Sequence, residues 1–210
     1  MITIQKLFLL AFIVLCINSQ SYSQRFTLEK PDSTNIYYRI ITQRTKQLKL
    51  KKLEQGSPKA EIRLWTIFEL RYFNDLVVLS QNDTSWQALY YPHISIPGTK
   101  NTSDTLKSVM VTLHPVNEWN TLLKTLHDNH VFSLPDMDKI YGLVDNWADG
   151  TTYIVEVATP TMYRFYRYHL PEKFSDKFQQ TQQMVNIVSA VEEAFMLKKQ
   201  RKQQERLLRK

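Results

Sequence analysis

The chain has 210 residues, 43% of them hydrophobic, with 27 Lys/Arg against 20 Asp/Glu and a formal net charge of +7. That length suffices for one domain of ordinary size with a full core. A single cysteine excludes a disulfide framework, and four glycines argue against Gly-rich phosphate loops and barrels with many tight turns.

In chain order, Lys6 precedes an apolar run from Leu7 to Ile17, and a polar segment then ends in Ser21-Tyr22-Ser23. Charge, short apolar core and a small-x-small site form the layout of a secretory signal peptide, cut before Gln24. The run is too short to span a bilayer comfortably. A lipoprotein through Cys16 is the lesser reading, because Leu15 is not the small residue that such processing requires. Cleavage before Gln24 leaves a mature chain without cysteine. The expected location is therefore exported: periplasmic or secreted.

Residues 33–54 could open as strand or helix at Ile36 to Ile41, and the Lys/Arg/Gln/Leu-rich continuation favours helix. Gln55-Gly56-Ser57-Pro58 ends it. Ile62 to Arg71 alternates with period two, as a strand does. Asn74-Asp75 reads as a turn, Leu76 to Leu79 as a short strand, and Gln81 to Thr84 as a second turn. Ser85 to Tyr91 places Trp86, Ala88 and Tyr90 on one face, and Pro92 closes it. Leu106 to Leu113 is a further strand. Val116, Trp119, Leu122, Leu123 and Leu126 have the spacing of an amphipathic helix after His114-Pro115. Thr151 to Ala158 and Met162 to His169 form a hairpin. From Pro171-Glu172 a long helix buries Met184, Ile187, Val188, Val191 and Phe195 and continues into a basic tail.

These elements predict an α+β fold: a single antiparallel sheet, meander plus hairpin, with helices packed on one face and a long C-terminal helix. The organisation is a signal peptide (1–23), one domain (24–197) and a basic helical tail (198–210). The tail carries seven Lys/Arg against Glu205, so residues 24–197 are neutral overall. No nucleic-acid partner is expected from such a distribution. The tail reads as a solvated helix end, with peripheral contact to an anionic envelope surface as the sharper alternative.

Four constellations could carry chemistry. Asp145, Asp149 and Glu156, with Gly150, fall at positions 1, 5, 12 and 6 of a calcium-loop template. Trp147 occupies a ligand position, however, and the run after Gly150 reads as strand. His127 and His130 lie three residues apart near a helix end, too few ligands for zinc. His93, His114 and His169 sit beside no nucleophile motif. Tyr163 to Tyr168 interleaves Arg with aromatics and could stack sugars or bases, although alternation equally produces a buried aromatic face. Asp136, Asp138, Glu192 and Glu193 supply paired acids without the cleft geometry of a glycosidase.

The segment Asp149-Gly150-Thr151-Thr152-Tyr153-Ile154-Val155-Glu156, followed by Tyr163 to Tyr168 and Pro171-Glu172, resembles a type of bacterial exported domain of unknown activity. That domain carries an Asp-Gly-Thr-x-Tyr-x-x-Glu strand. The resemblance rests on these short motifs and implies an α+β sheet without implying an activity. The chain is accordingly expected to be an exported envelope protein that binds a partner protein or glycan and needs no cofactor. The alternative is a hydrolase or metal-dependent enzyme using Asp145, Asp149 and Glu156, with His127 or His130.

Overall fold

A computed structural model describes residues 26–69, 72–98 and 105–209. The expected signal peptide and Cys16 lie outside the described residues. Among the described residues eight strands and four α-helices follow one another: β1 (Thr27–Glu29), α1 (Ile36–Gln47), β2 (Glu61–Phe68), β3 (Phe73–Gln81), β4 (Trp86–Ile96), β5 (Thr105–Ser108), β6 (Val111–Leu113), α2 (Trp119–Asp128), β7 (Thr151–Thr159), β8 (Met162–His169), α3 (Gln179–Ala194) and α4 (Leu197–Leu208). No helix among the described residues is long and apolar enough to cross a membrane.

The ambiguity at residues 36–41 resolves as helix. The Asn35 side chain accepts the backbone N–H of Tyr38 and satisfies a free donor of the first turn. The helix ends where Lys49 takes a left-handed conformation.

The strands form one sheet in the order β1-β8-β7-β2-β3-β4-β5, with β6 also pairing β4. Meander and hairpin are both present, and β7 joins them by pairing antiparallel with β2. The sheet is mixed rather than purely antiparallel, because β1 runs parallel to β8. Three residues are too short to announce a strand in sequence, and Glu29 holds β1 there through Arg164 and Lys139.

Helices cover both faces of the sheet, not one. Ile62, Leu64, Val77, Leu79, Val155 and Tyr166 meet α2 and α3 residues on one face. Trp65, Ile67, Leu76, Val78, Ile154 and Phe165 meet Tyr38 and Ile41 of α1 on the other. Strands buried on both sides read as continuous apolar runs, which is the pattern of Leu76 to Leu79 and of Tyr153 to Val155.

Three local expectations are corrected. Asn74 and Asp75 are buried inside β3 and form no turn. Pro92 lies within β4. It falls between the stretch paired with β6, Ala88 to Tyr90, and the stretch paired with β5, His93 to Ile96. That edge of β4 has no partner strand there, so a missing N–H is tolerated. Leu106 to Leu113 is two strands, β5 and β6, separated by Val109 and Met110.

The C-terminal region is helical, as expected. Pro171–Lys173 forms a separate 3-10 turn, and Met196, in the left-handed region with φ 49°, divides α3 from α4. The α4 helix is not a solvated end: Leu197, Gln204 and Leu208 are buried.

Candidate functional site

Glu156 lies in the middle of β7, opposite Arg63 of β2 and Phe165 of β8. It is only 5% exposed. The Trp65 Nε1 and the Tyr163 hydroxyl each donate to one of its oxygens at 2.9 Å. The Arg63 guanidinium stands 3.9 Å away and is itself held by Glu61 and the Lys51 carbonyl. Burial pushes the Glu156 carboxyl up, opposed by the Arg63 charge and the two donors. The cavity beside it, lined by Thr42, Thr45 and Leu53, measures about 10 Å³, roughly the space of one water. No substrate reaches such a carboxylate, so Glu156 joins α1's face of the sheet together.

The other acids of the calcium-loop template lie elsewhere. Asp145 faces Arg167 at 3.6 Å and accepts the Trp147 backbone N–H. Asp149 is exposed. Among the described residues no group of three His, Cys, Asp or Glu is placed to hold a metal ion. His127 is 82% exposed beside Asp128, and His130 is exposed in a left-handed turn. His114 is also exposed.

The remaining candidates are absorbed by the fold. Asp136 accepts the backbone N–H groups of Asp138 and Arg167, and Asp138 pairs with the Arg167 side chain. Together they seal the open edge of β8, helped by the Arg164 bonds to the Phe132 and Leu134 carbonyls and the Tyr166 bond to Val131. The Tyr163 to Tyr168 run is therefore no stacking platform. Its aromatics divide between both buried faces, Tyr163 and Phe165 on one, Tyr166 and Tyr168 on the other.

Two polar centres carry no sequence motif. At one, Arg201 of α4 reaches the buried Asp75 of β3 through Nε and Glu192 of α3 through Nη1. Its Nη2 approaches Thr66, and its guanidinium lies over the Phe68 ring. Tyr90 donates to the same Asp75 oxygen. The signal that could have exposed this centre is the 197/201/204/208 stripe, which puts Arg201 on the buried side of α4. At the other, the Thr152 hydroxyl contacts both Glu69 and His169 Nδ1 at 2.8 Å, and Tyr37 donates to Glu69. Thr152 is fully buried, so the hydroxyl has no route to a substrate.

An accessible groove of about 320 Å³ lies between α2 and α3. It is lined by hydroxyls and amides of Asn117, Thr121, Thr125, Asn186 and Ser189, by the carboxylates of Glu118 and Glu193, and by apolar Leu122 and Ala190. Asn186 is oriented by accepting from Gln182 and donating to Asn129, each at 2.8 Å. A second hollow of about 460 Å³ shares Ser189 and Glu193 and continues to Met196, Lys198 and Lys199. From Asn186 to the end of α3 at Ala194 the helix rises about 12 Å. The joined surface can seat an extended polar chain. Glu193 of the paired acids borders it, and Glu192 borders the second hollow while serving Arg201.

No family model matches this chain, and no curated protein or solved structure matches it.

Proposed function

We propose that the protein is an exported, non-enzymatic binding domain whose ligand lies along α3, in the groove shared with α2. The observation that carries this reading is the composition of the groove. Hydroxyl and amide groups line it together with the carboxylates of Glu118 and Glu193, beside the apolar Leu122, Ala190 and Ala194. Such a surface exchanges hydrogen bonds with a hydroxyl-rich chain, and a glycan of the cell envelope fits that chemistry. Two of the three acids of a hydrolytic reading are engaged elsewhere, Glu156 by Trp65 and Tyr163 and Asp145 by Arg167, which weighs against it. The export signal read at residues 1–23 and the resemblance at residues 149–156 support the same compartment.

NMR titration of the mature chain with N-acetylglucosamine oligosaccharides and soluble muropeptides tests the proposal. Backbone shifts are expected at Thr121, Asn186 and Ser189 at roughly millimolar ligand, and they should vanish in Ser189→Arg, which fills the groove. An absence of shifts with either probe class, or shifts that survive Ser189→Arg, overturns it.

A further inference from the structure

The α4 helix is docked by one side and charged on the other. Leu197, Arg201, Gln204 and Leu208 face the body, with Arg201 held between Asp75 and Glu192. Lys198, Lys199, Lys202 and Arg206 are all exposed. Among the described residues these four make no ion pair, whereas Arg209 is engaged by Glu205 at 2.7 Å. Lys198, Lys202 and Arg206 follow one another at four-residue intervals, so they stack in one row about 12 Å long. The nearest acid in sequence, Glu205, is 28% exposed and its carboxylate is taken by Arg209; the next, Glu193, lies on α3. Apolar Met196 and Leu207 are half exposed near the two ends of the row.

We propose that this outer face of α4 is a docking surface for the anionic phospholipid headgroups of a bilayer. The charges are point-like and set out on one side of a straight helix, which matches a flat, diffuse negative surface. Residues 197–209 include no aromatic side chain, so the stacking that single-stranded nucleic acid uses is missing. Because the buried stripe already holds α4 in place, the row is presented without the ordering cost that a free tail would bear. Contact there also brings the second hollow of the groove, which Lys198 and Lys199 border, against the surface.

The test is co-sedimentation of the mature chain with phosphatidylglycerol–phosphatidylcholine vesicles, against phosphatidylcholine alone. Binding is expected only to the anionic vesicles and should be released between about 0.05 and 0.5 M salt, as screening tightens. The variant Lys198→Gln/Lys202→Gln/Arg206→Gln should bind roughly 100-fold more weakly, about 5-fold per charge, with its thermal melt unchanged. Neutralising the other exposed basic cluster, by Lys49→Gln/Lys51→Gln/Lys52→Gln, should leave binding intact. The proposal fails if the wild type does not bind, if neutral vesicles bind as well, or if the α4 variant binds like the wild type. It fails too if the control variant loses as much, or if duplex DNA is held more tightly than the vesicles, which would assign the face to nucleic acid.

Discussion

Two buried side chains govern how this molecule responds to solvent and to mutation. His93 lies fully buried in β4, with Nδ1 3.0 Å from the Tyr91 carbonyl and Nε2 without a hydrogen-bond partner among the described residues. The short contact to a carbonyl fixes the proton on Nδ1 of the neutral ring. Burial first, then the nearby Arg44 charge, bring its pKa down to about 4, opposed by Tyr91 and Asp75. A folded value below the unfolded value of about 6.5 means that the unfolded chain takes up the proton first. The stability from His93 is therefore complete above about pH 6.5 and is lost as pH falls toward about 4, by at most roughly 3 kcal/mol. Burial pushes Glu156 and Asp136 the other way, so both gain stability on acidification and flatten the slope. Melting temperatures between pH 7 and 5 should fall less steeply in His93→Gln than in the wild type; parallel slopes would show that His93 does not drive the acid limb. Arg201 is the second such residue. Arg201→Met strands Asp75, whose side chain is 0% exposed, and should cost about 3–5 kcal/mol in urea unfolding. Arg201→Lys should recover only part, since a single ammonium cannot replace a fork directed at Asp75, Glu192 and Thr66. A loss below about 1 kcal/mol for Arg201→Met would mean that α4 is undocked in solution.

At the scale of elements, the apolar stripes of α2 and α3 were legible because they depend on spacing alone. Leu122, Val188 and Val191 are buried as that spacing requires. Trp119 is different. It is half-buried at the first turn of α2 and meets Phe195 edge-on, with ring centroids 5.9 Å apart. Trp119→Ala should thus cost about 2 kcal/mol, short of the roughly 3–5 kcal/mol of a fully buried aromatic, and calorimetry of the two proteins measures the difference. The basic tail was misread for a related reason. A helix with Arg and Gln on its inner face looks polar almost all round, so the 197/201/204/208 stripe is faint until Asp75 and Glu192 are seen to hold Arg201. The strand entry at Gly150 was legible, because the run after it reads as strand and forms β7. Its φ of 149° and a Cβ position only 2.6 Å from Leu170 demand glycine. Here Gly150 serves packing against β8's end, not the turn of a calcium loop.

At the scale of the whole molecule, a mature chain beginning at or near Gln24 is expected by mass spectrometry of native protein. A diacylglyceryl Cys16 at the N-terminus would instead make it a lipoprotein. The sequence by itself determined what neighbours in the chain decide: a mainly antiparallel meander and hairpin, the placement of the amphipathic helices, and a neutral body with a basic end. Period-two and period-3.6 patterns arise from bond geometry within a few residues, so they survive without knowledge of the fold. Tertiary structure alone decided the rest. Asp75 sits in a strand, against the turn preference of Asn-Asp, because Arg201 arrives from 126 residues away. Glu29 holds a three-residue parallel strand through an arginine 135 residues distant. Glu156 is enclosed because Trp65, 91 residues earlier, turns its indole N–H toward it. A buried charge is stable only where a partner compensates it, and partners brought together by closing long loops leave no periodic trace in the chain.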